Sequence, residues 1–201
     1  MSDSDPSLVK GSGLAPWRSP LARALHRNRS RPYSRYFQLA TVTPDGYPAN
    51  RTVVFRGWLP DTNTLTLVTD RRSGKVADIA AHPWAEACWY FTQTREQFRL
   101  AGPMALVDSS DTALAPARQT TWEALSTNAR QQFYWPHPAA PREVGANLDP
   151  YEVGEIAPEN FCLGLLTPHR VDHLELRGDP QSRYRYQQQT DGSWTVTPIN
   201  P

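Results

Sequence analysis

The chain has 201 residues, a formal net charge of +1 at pH 7, and 39% hydrophobic residues. This length can bury the core of one domain, and a charge so close to neutral excludes a general electrostatic attraction to nucleic acid or membrane surfaces. No apolar run is long enough to span a membrane, and no stretch near Met1 resembles a signal peptide. Cys88 and Cys162 lie in apolar contexts, which favours buried thiols in a reducing compartment. We therefore expect a cytoplasmic protein that binds neither nucleic acid nor a membrane.

The N-terminal region divides into a polar segment and a basic helix. Residues 1–13 are rich in Ser, Asp and Gly and are predicted to be disordered, which leaves residues 14–201 as a single domain. Ser19 followed by Pro20 predicts the start of a helix that ends near Asn28. Five arginines here are compatible with a transit peptide, a nucleic-acid patch or solvated side chains: Arg23, Arg27, Arg29, Arg31 and Arg35. Solvated side chains on a surface helix are the favoured interpretation.

Short β-type segments follow in close succession. Residues 36–43 alternate in polarity, and the turn sequence 44–48 joins them to the strand 51–56 as a hairpin. Further strands are predicted at 65–69, 86–91, 96–102, 104–107, 161–167, 171–176, 182–187 and 193–197. Helices are predicted after Ser73 and after Asp111, and a long loop at 141–158. This succession favours an antiparallel barrel or sandwich over a parallel sheet.

The segment that follows the strand 65–69 has the composition of an anion-binding loop. From Thr69 to Lys75 it offers two hydroxyls, two guanidinium groups and one ammonium group, and Ser73 is placed to cap the next helix. A helix N-terminus presents unpaired N–H groups and a partial positive charge, so a phosphate there would meet several donors at once. For this segment taken alone, an ordinary solvated turn is an equally good interpretation.

Four features in a fixed order give the chain a family resemblance. They are Arg51-Thr-Val-Val-Phe-Arg56, the segment from Thr69 to Lys75, Gln97 before Gly102, and Arg183 before an aromatic-rich last strand. In this order the chain resembles the pyridoxamine 5'-phosphate oxidase-related flavoproteins over residues 17–201, and within them the divergent cyanobacterial and plant branch. The resemblance implies a mainly β fold with added helices, an antiparallel Greek-key split β-barrel. It also implies FMN as the cofactor, bound at the subunit interface of a homodimer.

The same resemblance implies roles for individual residues. Arg51, Ser73 and Lys75 correspond to residues that hold the flavin phosphate, a dianion suited to guanidinium and hydroxyl partners. Contacts along the flavin are implied for Thr52, Val53, Val54, Val68 and Thr69. Gln97 corresponds to an amide that reaches the ring system, and Arg183 to an arginine supplied by the partner chain. Arg56 stands at the position of a substrate-contacting lysine, and no catalytic residue is implied.

Departures from the family pattern concern the substrate more than the cofactor. Gly74 stands where the pyridoxamine phosphate oxidases proper have an arginine, which removes one phosphate partner. Residues 179–182 lack the Arg-x-His signature for the substrate. The helix after Gly102 also lacks the Tyr-x-x-x-Arg-x-x-x-Ser set that binds the substrate phosphate. These departures leave the substrate open.

Three functions are therefore considered. The leading hypothesis is an FMN-dependent oxidoreductase in which a small amine or other reduced substrate gives a hydride to the flavin. The alternative is a flavin or tetrapyrrole binding protein without turnover, and a nucleic-acid-binding barrel ranks last because of the neutral charge. The histidines are scattered, and only His169 and His173 share a strand face. We expect these two on the surface and no metal site.

Overall fold

The computed structural model describes residues 7–9, 13–142, 145 and 152–201 of the chain. Its strands are β1 (Ser7–Val9), β2 (Tyr36–Val42), β3 (Pro48–Val54), β4 (Gly57–Trp58), β5 (Leu65–Asp70), β6 (Trp84–Phe91), β7 (Glu96–Val107), β8 (Phe161–Leu166), β9 (Arg170–Glu175), β10 (Ser182–Gln188) and β11 (Trp194–Ile199). Its α-helices are α1 (Arg18–Asn28), α2 (Gly74–Ala81), α3 (Ala115–Glu123) and α4 (Thr127–Gln131). Short 3-10 helices cover Pro32–Arg35 and Gln132–Tyr134. The predicted mainly β class with added helices is confirmed.

All strand pairs in the described part of the chain are antiparallel, and β7 joins two parts of the sheet. One path runs in the order β1-β11-β10-β9-β7-β6-β2-β3, and a second part contains β4, β5 and β8. The first half of β7 pairs with β6 and β9, whereas Met104–Val107 pairs with β8. Gly102 lies between these halves, where an added Cβ would collide with the backbone carbonyl of Thr167. The absence of a side chain therefore lets the two layers approach closely as the sheet curls.

The main core lies between α1 and the curled sheet. Its largest fully buried side chains include Trp17, Leu21, Phe37 and Trp89. The Phe37 and Trp89 ring centroids lie 5.2 Å apart, and Trp89 Nε1 donates a hydrogen bond of 2.9 Å to the Ser34 carbonyl. Replacing a buried aromatic residue of this kind by Ala typically costs about 3–5 kcal/mol. Aromatic packing thus stabilises the barrel. The strands that carry the candidate site pack on this core.

A second core anchors the helical segment α3–α4 beside β5 and β8. Trp122, Phe133 and Phe161 pack edge to face, with Trp122 and Phe133 each about 5 Å from Phe161 between ring centroids. The Arg118 guanidinium donates to the carbonyls of Phe161 and Pro158 and so ties α3 to the start of β8. A buried guanidinium is stable when its N–H groups are satisfied in this way. The segment is therefore held firmly next to β5.

The structure differs from two expectations. Helix α1 begins at Arg18 with Trp17 at its N-cap, two residues earlier than the Ser19-Pro20 signal predicts. Most of the segment 1–13 lies outside the described residues, but Ser7–Val9 within it pairs with β11 as a strand. The predicted loop 141–158 also lies partly outside them. None of the described helices is both long and apolar enough to cross a membrane.

Candidate functional site

A cavity of about 590 Å³ opens where β3, β5, the start of α2 and the segment α3–α4 meet. Apart from Gln97 and Arg183, it is lined by every residue for which the resemblance implies a cofactor contact, namely Arg51, Thr52, Val53, Val54, Val68, Thr69, Ser73 and Lys75. Arg56, the implied substrate residue, lines it too. Since β3 and β5 are separated in sequence, the fold itself brings these residues together. The cavity lining contains three cationic side chains but only one carboxylate, that of Asp70, so the cavity favours an anion.

Arg51 is oriented by partners on two neighbouring elements. Its guanidinium donates to Thr41 Oγ1 on β2 at 2.5 Å and to Asp78 Oδ2 on α2 at 3.1 Å. Thr41 in turn donates to the same Asp78 oxygen at 2.7 Å. Both Thr41 and Asp78 are buried, while Arg51 keeps a quarter of its side chain exposed. This network fixes the direction of the guanidinium before any ligand arrives, which lowers the entropy cost of binding.

Lys75 gathers the hydroxyls of the predicted anion loop around its ammonium group. Its Nζ donates to Thr69 Oγ1 at 2.9 Å and to Ser73 Oγ at 2.6 Å. Burial, followed by the nearby charge of Arg51, lowers the pKa of Lys75 below its ordinary value. An incoming phosphate would relieve both effects, because a dianion restores a favourable environment for the ammonium charge. Two cations therefore lie close together with an incomplete set of counter-charges.

The start of α2 gives the same location backbone donors. Ser73 occupies the N-cap in an extended conformation, as predicted, but its hydroxyl makes no capping hydrogen bond and faces Lys75 instead. Unpaired N–H groups of the first helical turn and the helix dipole both favour an anion there. The two arginines of the loop point elsewhere, since Arg71 pairs with Glu159 and Arg72 forms a bidentate pair with Asp70. The donor set of Arg51, Ser73, Lys75 and the helix start therefore fits the phosphate end of FMN.

The remaining wall of the cavity comes from residues that the sequence did not single out. They all lie in the segment α3–α4 and the turn after it, and they are Leu125, Ala129, Gln132, Phe133, Trp135, Pro136 and Pro138. Tyr36 adds an aromatic ring at the start of β2. The dense run of aromatic and proline residues from Phe133 to Pro138 was a signal in the sequence, but it indicated only where the helical region ends. This partly apolar wall suits a flat organic ring more than a free inorganic anion.

Gln97 and Arg183 lie away from this cavity within the chain. Gln97 is half-buried on β7, opposite Tyr90 on β6 and Leu174 on β9. Arg183 on β10 forms a bidentate pair with Asp172, with N–O distances of 2.8 and 3.0 Å. It lines a separate polar groove of about 370 Å³ whose other charged side chains are Glu86, Arg99, Arg170, Asp172 and Arg185. A single copy of the chain thus does not unite the ten cofactor residues.

The expectation that His173 lies on the surface is wrong. His173 is only 1% exposed, stacks on Phe98 with ring centroids 4.0 Å apart, and lies 2.9 Å from Glu96 Oε2 through Nε2. Glu175 completes a group of three potential metal ligands among the described residues. Arg23, Arg27 and Arg177 line the small cavity beside this group, so cations already surround its carboxylates. The β7–β9 pairing, which brings Glu96 opposite Glu175, could not be read from the sequence.

The chain is similar to known proteins over most of its length. Residues 14–108 match the family described as pyridoxamine 5'-phosphate oxidase, FMN-binding domain. The chain is 36% identical over 200 residues to pyridoxine/pyridoxamine 5'-phosphate oxidase 2 of Arabidopsis thaliana, covering 95% of this chain and 100% of that protein. It is 55% identical to a pyridoxamine 5'-phosphate oxidase-related, FMN-binding protein of Nostoc punctiforme, with a TM-score of 0.90 over 95% of this chain and 100% of the other.

A more distant structure shares the fold. PhzG of Burkholderia lata, solved with tetrahydrophenazine-1-carboxylic acid, superposes with a TM-score of 0.75 over 91% of both chains at 19% identity. The predictions of a split β-barrel and of FMN as the cofactor are thereby confirmed, the first by both structures and the second by the family and the Nostoc protein. The chain belongs to the pyridoxamine 5'-phosphate oxidase family and carries its FMN-binding domain.

Proposed function

We propose that the protein is an FMN-dependent oxidoreductase that takes a hydride from a small amine or another reduced organic substrate. The observation that carries this proposal is the cavity in which Arg51, Ser73 and Lys75 converge on the start of α2. Membership of an FMN-binding family supports the flavin phosphate as the ligand of these donors. The isoalloxazine ring of FMN supplies the hydride acceptor, so the chain needs to bind, orient and shield rather than provide a nucleophile.

Each lining residue has a role in this proposal. Arg51 and Lys75 neutralise the phosphate dianion, and Ser73 Oγ donates to it once Lys75 turns toward the phosphate. Thr52, Val53 and Val54 on β3 and Val68 and Thr69 on β5 line the cavity. In the proposed complex the two strands contact the flavin from different sides. Phe133 and Trp135 shield the site from water on the α3–α4 side. The buried core beneath β3 and β5 keeps these contacts rigid, as productive positioning requires.

The cavity lined by Arg51, Ser73 and Lys75 is called the flavin cavity below. The proposal includes a homodimer, in which the groove around Arg183 of one protomer faces the flavin cavity of the other. Two observations support it: Gln97 and Arg183 lie outside the cavity of their own chain, and the groove around Arg183 is rich in arginine. A guanidinium suits the carbonyl-rich edge of a flavin and its ribityl hydroxyls. Residues 14–201 would then act as one domain whose site is completed by a second copy.

An absorption experiment tests the proposed function. Purified protein is desalted, titrated with FMN and mixed anaerobically with candidate substrates, beginning with pyridoxamine phosphate and small amines. Bound flavin bands that bleach with a substrate and return with oxygen support an oxidoreductase. Flavin that binds but is bleached by none of them favours a binding protein without turnover, and protein that binds a tetrapyrrole but no FMN would overturn the proposal.

A matched pair of variants locates the bound flavin. Lys75→Ala removes a cavity-lining cation, whereas Arg71→Ala removes a cation of the same loop that pairs with Glu159 and does not line the cavity. Loss of a charge-assisted hydrogen bond costs about 1.5–3 kcal/mol, so Lys75→Ala should weaken FMN binding about tenfold to a hundredfold. Arg71→Ala should leave it unchanged, and equal effects of the two changes would place the flavin elsewhere.

A further inference from the structure

A second cavity of about 640 Å³ adjoins the flavin cavity, and Arg56 lines both. The two cavities also share Leu125 of the loop that follows α3. A volume in this range is typical of small-molecule sites, about 300–1,000 Å³. Because the two cavities share the side chains of Arg56 and Leu125, a molecule in the second cavity would lie next to whatever occupies the first. The second cavity is therefore placed where a substrate would meet the flavin.

Arg56 brings an unmatched positive charge to this boundary. Its Nε is buried and has no hydrogen-bond partner among the described residues. Arg35 lines the same cavity, and neither guanidinium takes part in an ion pair within the described part of the chain. Burial, together with the charge of Arg35, lowers the pKa of Arg56. A buried donor without a partner costs free energy that an incoming acceptor would recover.

The rest of the second cavity is mainly apolar. Trp58, Leu59, Pro60 and Leu163 line it from the sheet side, and helix α3 adds Pro116, Ala117, Thr120 and Thr121. The Thr121 hydroxyl donates to the Ala117 carbonyl within the helix. No carboxylate among the described residues faces this space. The Trp58 ring is fixed from behind, because the Arg18 guanidinium stacks 3.5 Å from its centroid and Phe55 packs against it edge to face. A rigid aromatic wall of this kind suits a flat apolar ligand.

The two cavities differ in the anion that their donors can satisfy. At the start of α2 the flavin cavity has the ammonium group of Lys75, the guanidinium group of Arg51, hydroxyls and the helix N-terminus, which together match a phosphate dianion. In the second cavity, by contrast, the cations are two guanidinium groups, with no lysine and no histidine among its described lining residues. A planar guanidinium pairs with a carboxylate through two parallel N–H···O bonds. One carboxylate would satisfy Arg56 without further donors.

From this arrangement we propose that the second cavity binds the substrate, and that the substrate is a planar apolar molecule carrying a carboxylate rather than a phosphate ester. The carboxylate pairs with Arg56, with Arg35 as a second cation, and the apolar body lies between Trp58 and α3. That the bound molecule is a substrate rests on the proposed function. Binding of an aromatic carboxylate at Arg56 does not depend on that function. Selection for a carboxylate would distinguish this chain from an enzyme that acts on phosphorylated pyridoxine.

Isothermal titration of the FMN-loaded protein with three probes tests the inference: 2-naphthoate, 2-naphthylmethanol and 2-naphthyl phosphate. The carboxylate should bind at least about tenfold more tightly than the alcohol, as expected for one charge-assisted pair, and at least as tightly as the phosphate ester. Naphthoate should also shift the flavin absorption bands, since the cavities adjoin. Equal affinity for carboxylate and alcohol, a tenfold preference for the phosphate ester, or no binding at millimolar concentration would overturn the proposal.

Two variants assign the binding to this cavity. Arg56→Gln should weaken naphthoate binding about tenfold to a hundredfold and leave naphthylmethanol binding unchanged. Arg71→Gln, the same change at an arginine that lines neither cavity, should alter neither. An Arg56→Gln protein that binds naphthoate normally would exclude Arg56 as the partner. If FMN fails to load at all, the proposed function fails, and the same titrations on the flavin-free protein decide this inference separately.

Discussion

Lys75 is the residue whose protonation state most directly controls the flavin cavity. In the flavin-free protein, burial and then the charge of Arg51 lower its pKa, although Asp70 and Asp78 oppose the shift. Only the protonated amine attracts a phosphate, and a bound dianion raises the pKa again. Affinity for FMN should therefore be full below the lowered pKa and should fall as the pH rises through it. The same coupling means that binding at alkaline pH takes up a proton.

The pH dependence of the FMN dissociation constant between pH 7 and 10, followed by flavin fluorescence, checks this expectation. Lys75→Arg keeps its charge over the whole range, so its affinity should stay level where that of the native protein falls. Lys75→Met should bind weakly at every pH and show no alkaline decline. A native protein with constant affinity up to pH 10 would show that Lys75 does not contact the phosphate.

Glu96 makes a pH-dependent contribution to stability. Burial opposes its ionisation, but hydrogen bonds from His173 and Thr94 more than offset that effect and lower the pKa of the carboxyl group. Because the pKa is lowered on folding, the contribution is present above the unfolded value of about 4.3 and is lost as the pH falls through the lowered value. Stability from this group should therefore be greatest at neutral pH.

Urea unfolding of Glu96→Gln and of the native protein at pH 7 and pH 3.5 measures this contribution. The variant should be less stable by about 1–3 kcal/mol at pH 7, and the difference should shrink at pH 3.5. Glu155→Gln is the matched control, since Glu155 is exposed, and it should behave as the native protein at both values. A difference that grows toward acid would reverse the sign of the linkage and contradict the role given to Glu96.

At the scale of the element, the start of α2 has room for a further cation. Gly74 is the first helical residue, it is exposed, and an added Cβ would meet no atom within 4 Å. Gly74→Arg should tighten FMN binding about threefold to tenfold, as one more charge-assisted hydrogen bond to the phosphate would. An arginine in the first turn opposes the helix dipole, so the flavin-free protein should be slightly less stable.

Gly74→Ala is the control for the backbone effect of removing the glycine. It raises helix propensity without adding a charge, so it should stabilise the flavin-free protein and leave the affinity for FMN unchanged. Both variants would be compared by FMN titration and thermal unfolding. If Ala and Arg tighten binding equally, the gain comes from helix stability, and a phosphate at the start of α2 is contradicted.

The elements were largely predictable because their signals are local. Alternation in β2, the turn before β3 and Ser73 at the N-cap of α2 all follow from a few neighbouring residues. The directions of the Arg71 and Arg72 side chains, by contrast, could not be predicted from neighbouring residues. The composition of this loop left open whether its two guanidinium groups would meet an anion or lie in solvent, and Glu159 and Asp70 take up their charges instead. Glu159 is distant in sequence. Which of several nearby cations faces a cavity depends on such long-range partners.

In the whole molecule, one chain brings together only part of the predicted site. In the proposed homodimer, a second copy would add Arg183. The resemblance supplied the residues on β3, β5 and α2, and the fold brings them to one cavity. The α3–α4 wall escaped prediction because its helical spacing is also that of a core helix, and Leu125 and Phe133 are indeed buried. His173 was misplaced because its burial depends on the pairing of β7 with β9.

We propose that Arg51, Ser73 and Lys75 hold the flavin phosphate at the start of α2. Comparing the dissociation constants of FMN and riboflavin on the same desalted protein tests it most directly, since the two ligands differ only in the phosphate. Several charge-assisted hydrogen bonds predict that FMN binds at least about a hundredfold more tightly, and that Lys75→Ala reduces this ratio. Equal affinity for FMN and riboflavin would contradict the account.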